Sequence, residues 1–203
     1  MPSQTRSAEF LAAVTRWLGP LPDPPLVLDL SVGLPTKTPL DSGGHDLDNY
    51  LYPVAHHLGG NNFVAAYARK THSPASTLAV EQARALTSTG WHPKLQVQTT
   101  TSTDKIAWKE EIRRACAEQA KGRLVGGPVT LEVHYRLSSR RNWVNLWKPT
   151  IDALGPILGA PDAHRPYNVE DDRITALCLT RSTDDSLGWK VLIEASWAAL
   201  NPE

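Results

Sequence analysis

Asp46 and Asp48 stand two residues apart, Glu170, Asp171 and Asp172 form a run, and Lys148 and Asp152 lie between them in the chain. If the backbone is extended at residues 46–48, both carboxylates project to one side, as i and i+2 side chains do. Two carboxylates on one face make a site for a hard cation such as Mg²⁺ or Mn²⁺, which takes oxygen ligands. The plainer alternative is a solvated loop in which Asp48 caps the following helix. A strand starting at Glu170 would put Glu170 and Asp172 on a common face, where they could complete a metal site begun on a neighbouring loop. Lys148, a turn inside a helix, has the charge and reach to hold a scissile phosphate or to stabilise charge developing on it. Arg140 and Arg141 precede that helix and can contact backbone phosphate. They serve equally as surface charge, or as counter-charge to the acidic run.

Other side chains invite chemistry less strongly. Trp143, Trp147 and Trp189 could stack on bases, but Trp143 and Trp147 are four apart on one helical face, which favours packing. His56 and His57 could ligate a metal and fit an ordinary helix surface better. Cys116 and Cys178 are too few for a disulfide framework and lie in no metal-binding pair, so both read as buried thiols. There is no Gly-rich phosphate loop, no Ser-centred nucleophile elbow, and no CxxC or HExxH signature.

The elements that must position these groups come in two similar sets. Residues 46–58 and 142–154 align without a gap at Asn49/Asn145, Pro53/Pro149 and Leu58/Leu154. Ser7 to Leu18 has Phe10, Leu11, Val14, Trp17 and Leu18 at helical spacing, and Asp104 to Ala120 has Trp108, Ile112, Ala115 and Cys116. Gly- or Pro-rich turns end both helices, the second at Gly122, Gly126, Gly127 and Pro128. The alternating segments Leu28–Leu34 and Leu131–Leu137 then predict half-buried strands. A second helix follows in each half; Leu146, Thr150, Ile151, Leu154 and Leu158 give it one broad face around Pro149, which is tolerable only near the first turn. Strands from Asn61–Tyr67 and Asp171–Leu177, with about fourteen residues inserted before the latter, and from Leu78–Glu81 and Val191–Glu194, complete the sets.

The order in each half is helix, strand, helix, strand, strand. This predicts an α/β (α+β) fold of two similar units, residues 1–95 and 96–203, packed as a pseudo-twofold pair. The expected boundary is a polar seam over residues 88–102, with Thr87, Ser88, Thr89 and Gly90 at its start and the run Thr99 to Thr103 at its end.

Bulk properties narrow the function classes. The chain has 203 residues, 41% of them hydrophobic and 21% charged, and a formal net charge of zero. No apolar run is long enough for a membrane helix, and the first twenty residues lack a secretory pattern, so a cytoplasmic protein is expected. Zero net charge weighs against a protein whose main task is gripping phosphate backbone. It conceals a polarity: Lys105 to Lys148 holds ten Lys or Arg against four Glu, whereas acidic residues dominate from Pro149 onward. A local nucleic-acid face and a merely solvated basic surface both fit that stretch.

The second half resembles the RusA-type Holliday-junction resolvases, small homodimeric endodeoxyribonucleases of DNA recombination and repair. Their motif runs Asp-x-Asp-Asn-x-x-Lys-x-x-x-Asp-x-Leu, followed by Asp-Asp and a strand. Asn145, Lys148, Asp152, Leu154, Asp171 and Asp172 match it, and the resemblance covers residues 102–197. The first half matches through Asp46-Leu47-Asp48-Asn49 and its strand order. In that family the Asp-x-Asp pair and the second Asp of the later pair bind Mg²⁺, the Lys is needed for cleavage, and the site forms within one copy. The resemblance therefore implies Asp46, Asp48, Lys148 and Asp172 as catalytic candidates, Asp46, Asp48, Asp171 and Asp172 as Mg²⁺ or Mn²⁺ ligands, and branched or duplex DNA as partner, with Arg140, Arg141 and Lys148 on its phosphates. The departures are Asn142 and Val144 where the second half should carry its Asp pair, Tyr52 in place of the Lys, and Asn61-Asn62 in place of the later Asp pair. Neither half alone holds a complete family site. Three functions follow as expectations: a composite endonuclease site assembled from both halves, a noncatalytic relative that binds DNA, or a structural module acting through a protein partner.

Overall fold

Strand alternation and helical periodicity act together in the computed structural model, which describes residues 4–84, 92–121 and 124–200. The chain runs α1 (Gln4–Leu18), β1 (Leu26–Leu34), α2 (Leu47–His57), β2 (Phe63–His72), β3 (Thr77–Gln82), β4 (Leu95–Thr99), α3 (Ile106–Gln119), β5 (Val129–Leu137), α4 (Trp147–Asp152), α5 (Gly155–Leu158), β6 (Ile174–Thr183) and β7 (Val191–Ala199). The fold is mixed α+β: all seven strands join one mixed sheet in the order β3-β1-β2-β6-β5-β7-β4. Every second residue of β1 and of most of β5 is buried, from Leu26 to Leu34 and from Val129 to Leu137. Those faces share one apolar cluster with Leu51 and Val54 of α2, Trp108 and Ile112 of α3, and Ile151 of α4. The opposite faces of these two strands carry polar residues such as Asp29, Ser31, Glu132 and His134, the one-sided pattern that alternation dictates.

The pairing senses repeat. β1 runs parallel to β2 and antiparallel to β3, while β5 runs parallel to β6 and antiparallel to β7. A register shift falls at the first residue of both parallel pairs, between Leu26 and Val27 and between Val129 and Thr130. A 3₁₀ turn precedes each inner strand, Gly60–Asn62 before β2 and Asp171–Arg173 before β6. β2 and β6 meet antiparallel at the middle of the sheet, where Tyr67 faces Cys178.

Several expectations need correction. Glu170 and Asp171 do not begin a strand: residues 171–173 form the 3₁₀ turn and β6 starts at Ile174, so Glu170 and Asp172 share no strand face. Asp46 and Asp48 do not lie on an extended segment either; Asp46 is at the N-cap position and Asp48 is in the first turn of α2. The single helix expected through Leu146–Leu158 is broken into a 3₁₀ turn at Val144–Leu146, then α4, then α5. Pro149 is in the first turn of α4, as required, but Pro156 has no N–H with which to continue that helix, so a new one starts at Gly155. Pro53, by contrast, sits inside α2.

The polar seam is partly a strand: Leu95–Thr99 pairs with β7 and buries Leu95 and Thr99. Thr87, Ser88, Thr89, Gly90 and Gly122 lie outside the described residues. No helix among the described residues is long and apolar enough to cross a membrane.

Candidate active site

The start of α2 approaches α4 and the 3₁₀ turn before β6, which brings Asp46 and Asp48 to Lys148, Asp152, Asp171 and Asp172. Lys148 is the hub. Its Nζ donates to Asp171 Oδ2 at 2.6 Å and lies 3.2 Å from Asp152 Oδ1 and 3.4 Å from Asp48 Oδ2. Lys109 of α3 holds the other side of Asp152, with Nζ 2.7 Å from Oδ2. Asp172 Oδ2 accepts from the Gly44 amide at 3.2 Å, and its backbone carbonyl accepts from Lys70 Nζ, at the end of β2. Asp46 Oδ2 accepts from Asn49 Nδ2 at 2.7 Å, and the Asp46 side chain caps no backbone amide.

The electrostatics follow from crowding and burial. Asp48 is only 2% exposed, and its Oδ2 makes no aligned hydrogen bond despite the nearby ammonium. Burial pushes its carboxyl up to about 6 against the pull of Lys148, and Asp171 and Asp46 push it further the same way. Asp46 is also raised, chiefly by burial and then by Asp171, with Lys148 and Lys70 opposing. Burial works against the Lys148 ammonium, but Asp48, Asp171 and Asp152 together outweigh it and hold its pKa above the ordinary lysine value. Burial lowers Lys70 despite Asp172, Asp46 and Asp171.

The donor set is entirely carboxylate oxygen, the chemistry of a hard-cation site, and the orphaned Asp48 oxygen is an acceptor without a donor. Among the described residues no three His, Cys, Asp or Glu side chains are arranged to hold a metal ion. The Lys148 ammonium stands among Asp48, Asp152 and Asp171, the place a cation would take.

The remaining expected residues fall elsewhere. Glu170 is exposed and 3.9 Å from Arg173. Arg140 is exposed, its charge acting on Asp185 at the far end of β6, and Arg141 lies 5.9 Å from the Trp108 ring centre. Neither pairs with the carboxylates. Trp143 and Trp147 are fully buried and meet edge to face at 4.9 Å, as packing requires, while Trp189 is exposed. The His56 ring stands 5.7 Å from Tyr52 on an exposed helix surface, and His57 Nε2 is 2.9 Å from Thr15 Oγ1. Both thiols are pushed up to about 12 by burial, Cys116 fully and Cys178 partly buried.

The opposite side of the β2–β6 pair repeats part of this arrangement without the carboxylate cluster. Arg181 of β6 reaches across to the Asn61 carbonyl at 2.6 Å, as Lys70 of β2 reaches across to the Asp172 carbonyl. Where Asp48 meets Asp171 on one side, Val144 packs against Gly60 on the other, so closely that a Cβ on Gly60 would lie 2.5 Å from Val144 Cγ2. Tyr52, aligned with Lys148, donates to Asn145 Oδ1 at 3.3 Å. Each basic side chain bonds the carbonyl two residues before an inner strand, Asp172 before Ile174 and Asn61 before Phe63, one residue off the alignment of Asn61-Asn62 with Asp171-Asp172. Lys70 and Lys109 are the site residues that sequence reasoning missed.

Compared with known protein families, curated proteins and solved structures, the chain matches none.

Proposed function

We propose that the chain is a RusA-like, Mg²⁺- or Mn²⁺-dependent endonuclease for branched DNA, built as a fused pseudo-dimer of two similar units with one composite site. The observation that carries this reading is the meeting of Asp48 from the first unit with Lys148 and Asp171 from the second. Two units related about the Tyr67–Cys178 pair would each carry the same parallel pair, the same register shift and the same crossing basic residue, and the strands fit that arrangement. The site would then lie between units, not within one. On that arrangement every Asp and the Lys that resemble the family's motif fall on one side, and every replacement falls on the other.

Asp46, Asp48 and Asp172, with Asp171 beside them, would have to draw together to hold the cation, since no three carboxylates among the described residues are so arranged. When bound, it would neutralise phosphate charge and lower the pKa of a water able to attack phosphorus. Lys148 would leave Asp48 as that cation arrives and keep Asp152 and Asp171 as its anchors. From there its ammonium can stabilise the charge on the phosphate oxygens as the phosphorus–oxygen ester bond breaks. Lys109 holds Asp152, and so fixes the direction from which Lys148 approaches. Exposed Arg113, Arg114, Lys121, Arg136 and Arg140 supply a basic surface for phosphate contacts. The unpaired Cys116 and Cys178 accord with a cytoplasmic setting.

A second reading, a DNA-binding relative without catalysis, is favoured by the Lys148 ammonium already standing in the cation's place. A labelled four-way junction incubated with Mg²⁺ or Mn²⁺, beside Asp46→Asn/Asp48→Asn protein, separates the two. Metal-dependent cleavage by the parent alone supports the nuclease. A gel shift without cleavage supports the binding protein. Neither shift nor cleavage at low salt sinks both and directs attention to a protein partner.

A further inference from the structure

We propose that two copies of this chain associate edge to edge through β3, antiparallel, so that the sheet continues across the pair. The inference does not depend on any activity at the carboxylate locus. It starts from the two ends of the sheet. β7, the antiparallel neighbour of β5, has β4 on its outer side, whereas β3, the antiparallel neighbour of β1, has no outer strand among the described residues. The β4 edge is also plugged. The Gln119 side chain of α3 accepts from the Gln96 amide and donates to the Gln96 carbonyl, both at 2.9 Å.

β3 has none of the sequence devices that blunt an edge. Thr77–Gln82 contains no Pro and no Lys, and its register with β1 is unbroken. Ala83 donates to the Pro25 carbonyl across that pair at 2.8 Å, so by alternation Leu78, Val80 and Gln82 turn their own N–H and C=O outward. The Leu78 and Val80 side chains are half-buried at the margin of the apolar core.

The occupant that fits this edge is β3 itself. With Ala79 of one copy opposite Ala79 of the other, Leu78 exchanges both backbone bonds with Val80 of the second copy, and Val80 does so with Leu78. Both pairs lie on the helix-covered side and carry the apolar core across the seam. On the open side the one charged residue of the strand, Glu81, faces Thr77, so no like charges are opposed. Each copy offers the other the same patch, the closed arrangement of an isologous pair.

Sedimentation velocity of the full chain from about 1 to about 200 μM should show the mass of a monomer passing to that of a dimer. Val80→Pro removes an outward N–H and leaves the bonds to β1 in place, so it should weaken association at least about tenfold while still melting cooperatively. Ala79→Cys tests the register separately. Opposed residues of a non-hydrogen-bonded pair stand about 4.5 Å apart at Cα, within disulfide reach, so this variant should link into a covalent dimer on mild oxidation. Thr77→Cys, displaced along the strand, should not, and neither should the parent with Cys116 and Cys178 alone. A monomer throughout that range would overturn the inference and leave the edge to a strand from another protein. So would a dimer unchanged by Val80→Pro, or linkage no faster at position 79 than at position 77. Should Val80→Pro fail to fold, the two cysteine variants decide.

Discussion

Replacing Asp48 by asparagine removes a negative charge from a position that is 2% exposed and has an oxygen without a hydrogen bond. Burial holds the folded-state carboxyl at about 6, against an ordinary value of 3.8, with the attraction of Lys148 already included. The folded chain therefore binds this proton more tightly than the unfolded chain. Stability falls as pH rises from about 4 to 6 and stays lower above that window. The interval corresponds to about 3 kcal/mol of cost at neutral pH. Asparagine keeps the shape and never ionises, and Lys148 retains Asp152 and Asp171. We expect Asp48→Asn to be more stable than the parent by about 1–3 kcal/mol at pH 7.5, or about 3–8 °C in Tm for a chain of this size. Thermal melts from pH 4 to pH 8 in EDTA should show the gap opening through pH 5 and closing at pH 4. Mg²⁺ should then raise the Tm of the parent and leave the variant unmoved. A variant less stable than the parent at pH 7.5, or a gap that persists at pH 4, would refute the claim that burial of this charge outweighs its attraction to Lys148.

Lys148→Met leaves Asp48, Asp152 and Asp171 facing one another, and should cost about 2 kcal/mol at pH 8, moderated by the partial exposure of this lysine. Urea titrations should show that loss shrinking as pH falls. Trp143→Phe keeps an aromatic ring, though a smaller one, and deletes the indole donor to the Gly60 carbonyl, so its expected cost by denaturant unfolding is about 1–3 kcal/mol. Trp143→Ala should cost more, about 3–5 kcal/mol. Gly60→Ala forces a methyl group against Val144 and should lose about 1–3 kcal/mol. In a double-mutant cycle Val144→Ala should recover part of that loss, while simple additivity would mean that the two residues do not share the space.

Periodicity made much of the sheet legible. Leu28–Leu34 and Leu131–Leu137 alternate cleanly, and both are strands with one buried face. The spacing of Trp108, Ile112 and Cys116 likewise announced the buried face of α3. Lys70 was not legible. Counting by twos from Phe63 puts it on the solvent face, but the register shift at the start of β2 reverses the parity, so Ala66, Ala68 and Lys70 turn inward. Arg181 turns the same way after the matching shift in β6. Lys109 was hidden for another reason: its partner, Asp152, is 43 residues away and on a different helix. The carboxylates and Lys148 could be named from spacing and resemblance, but which of them meet depends on the β2–β6 pairing. That contact joins residues more than a hundred positions apart, beyond the reach of any local pattern.

The contrast between the two sides of the β2–β6 pair has an energetic aspect. Exchanging a buried ionic cluster for well-packed apolar groups is often neutral or stabilising, because the desolvation of the charges disappears with them. The counterpart locus has the form such an exchange leaves: Val144 against Gly60, under a buried tryptophan pair. In a homodimer the same substitution would strike both sites at once, since each chain supplies half of each. If the chain is a fused pair of units, as proposed, that coupling is absent, and one locus can be packed apolar while the other keeps its charges. The retained charges are not there for stability, since burial holds both Asp46 and Asp48 at raised pKa values. On the proposed reading, a fused chain could discard a costly cluster on one side, and keeping the other would reflect what its carboxylates and lysine do to a ligand.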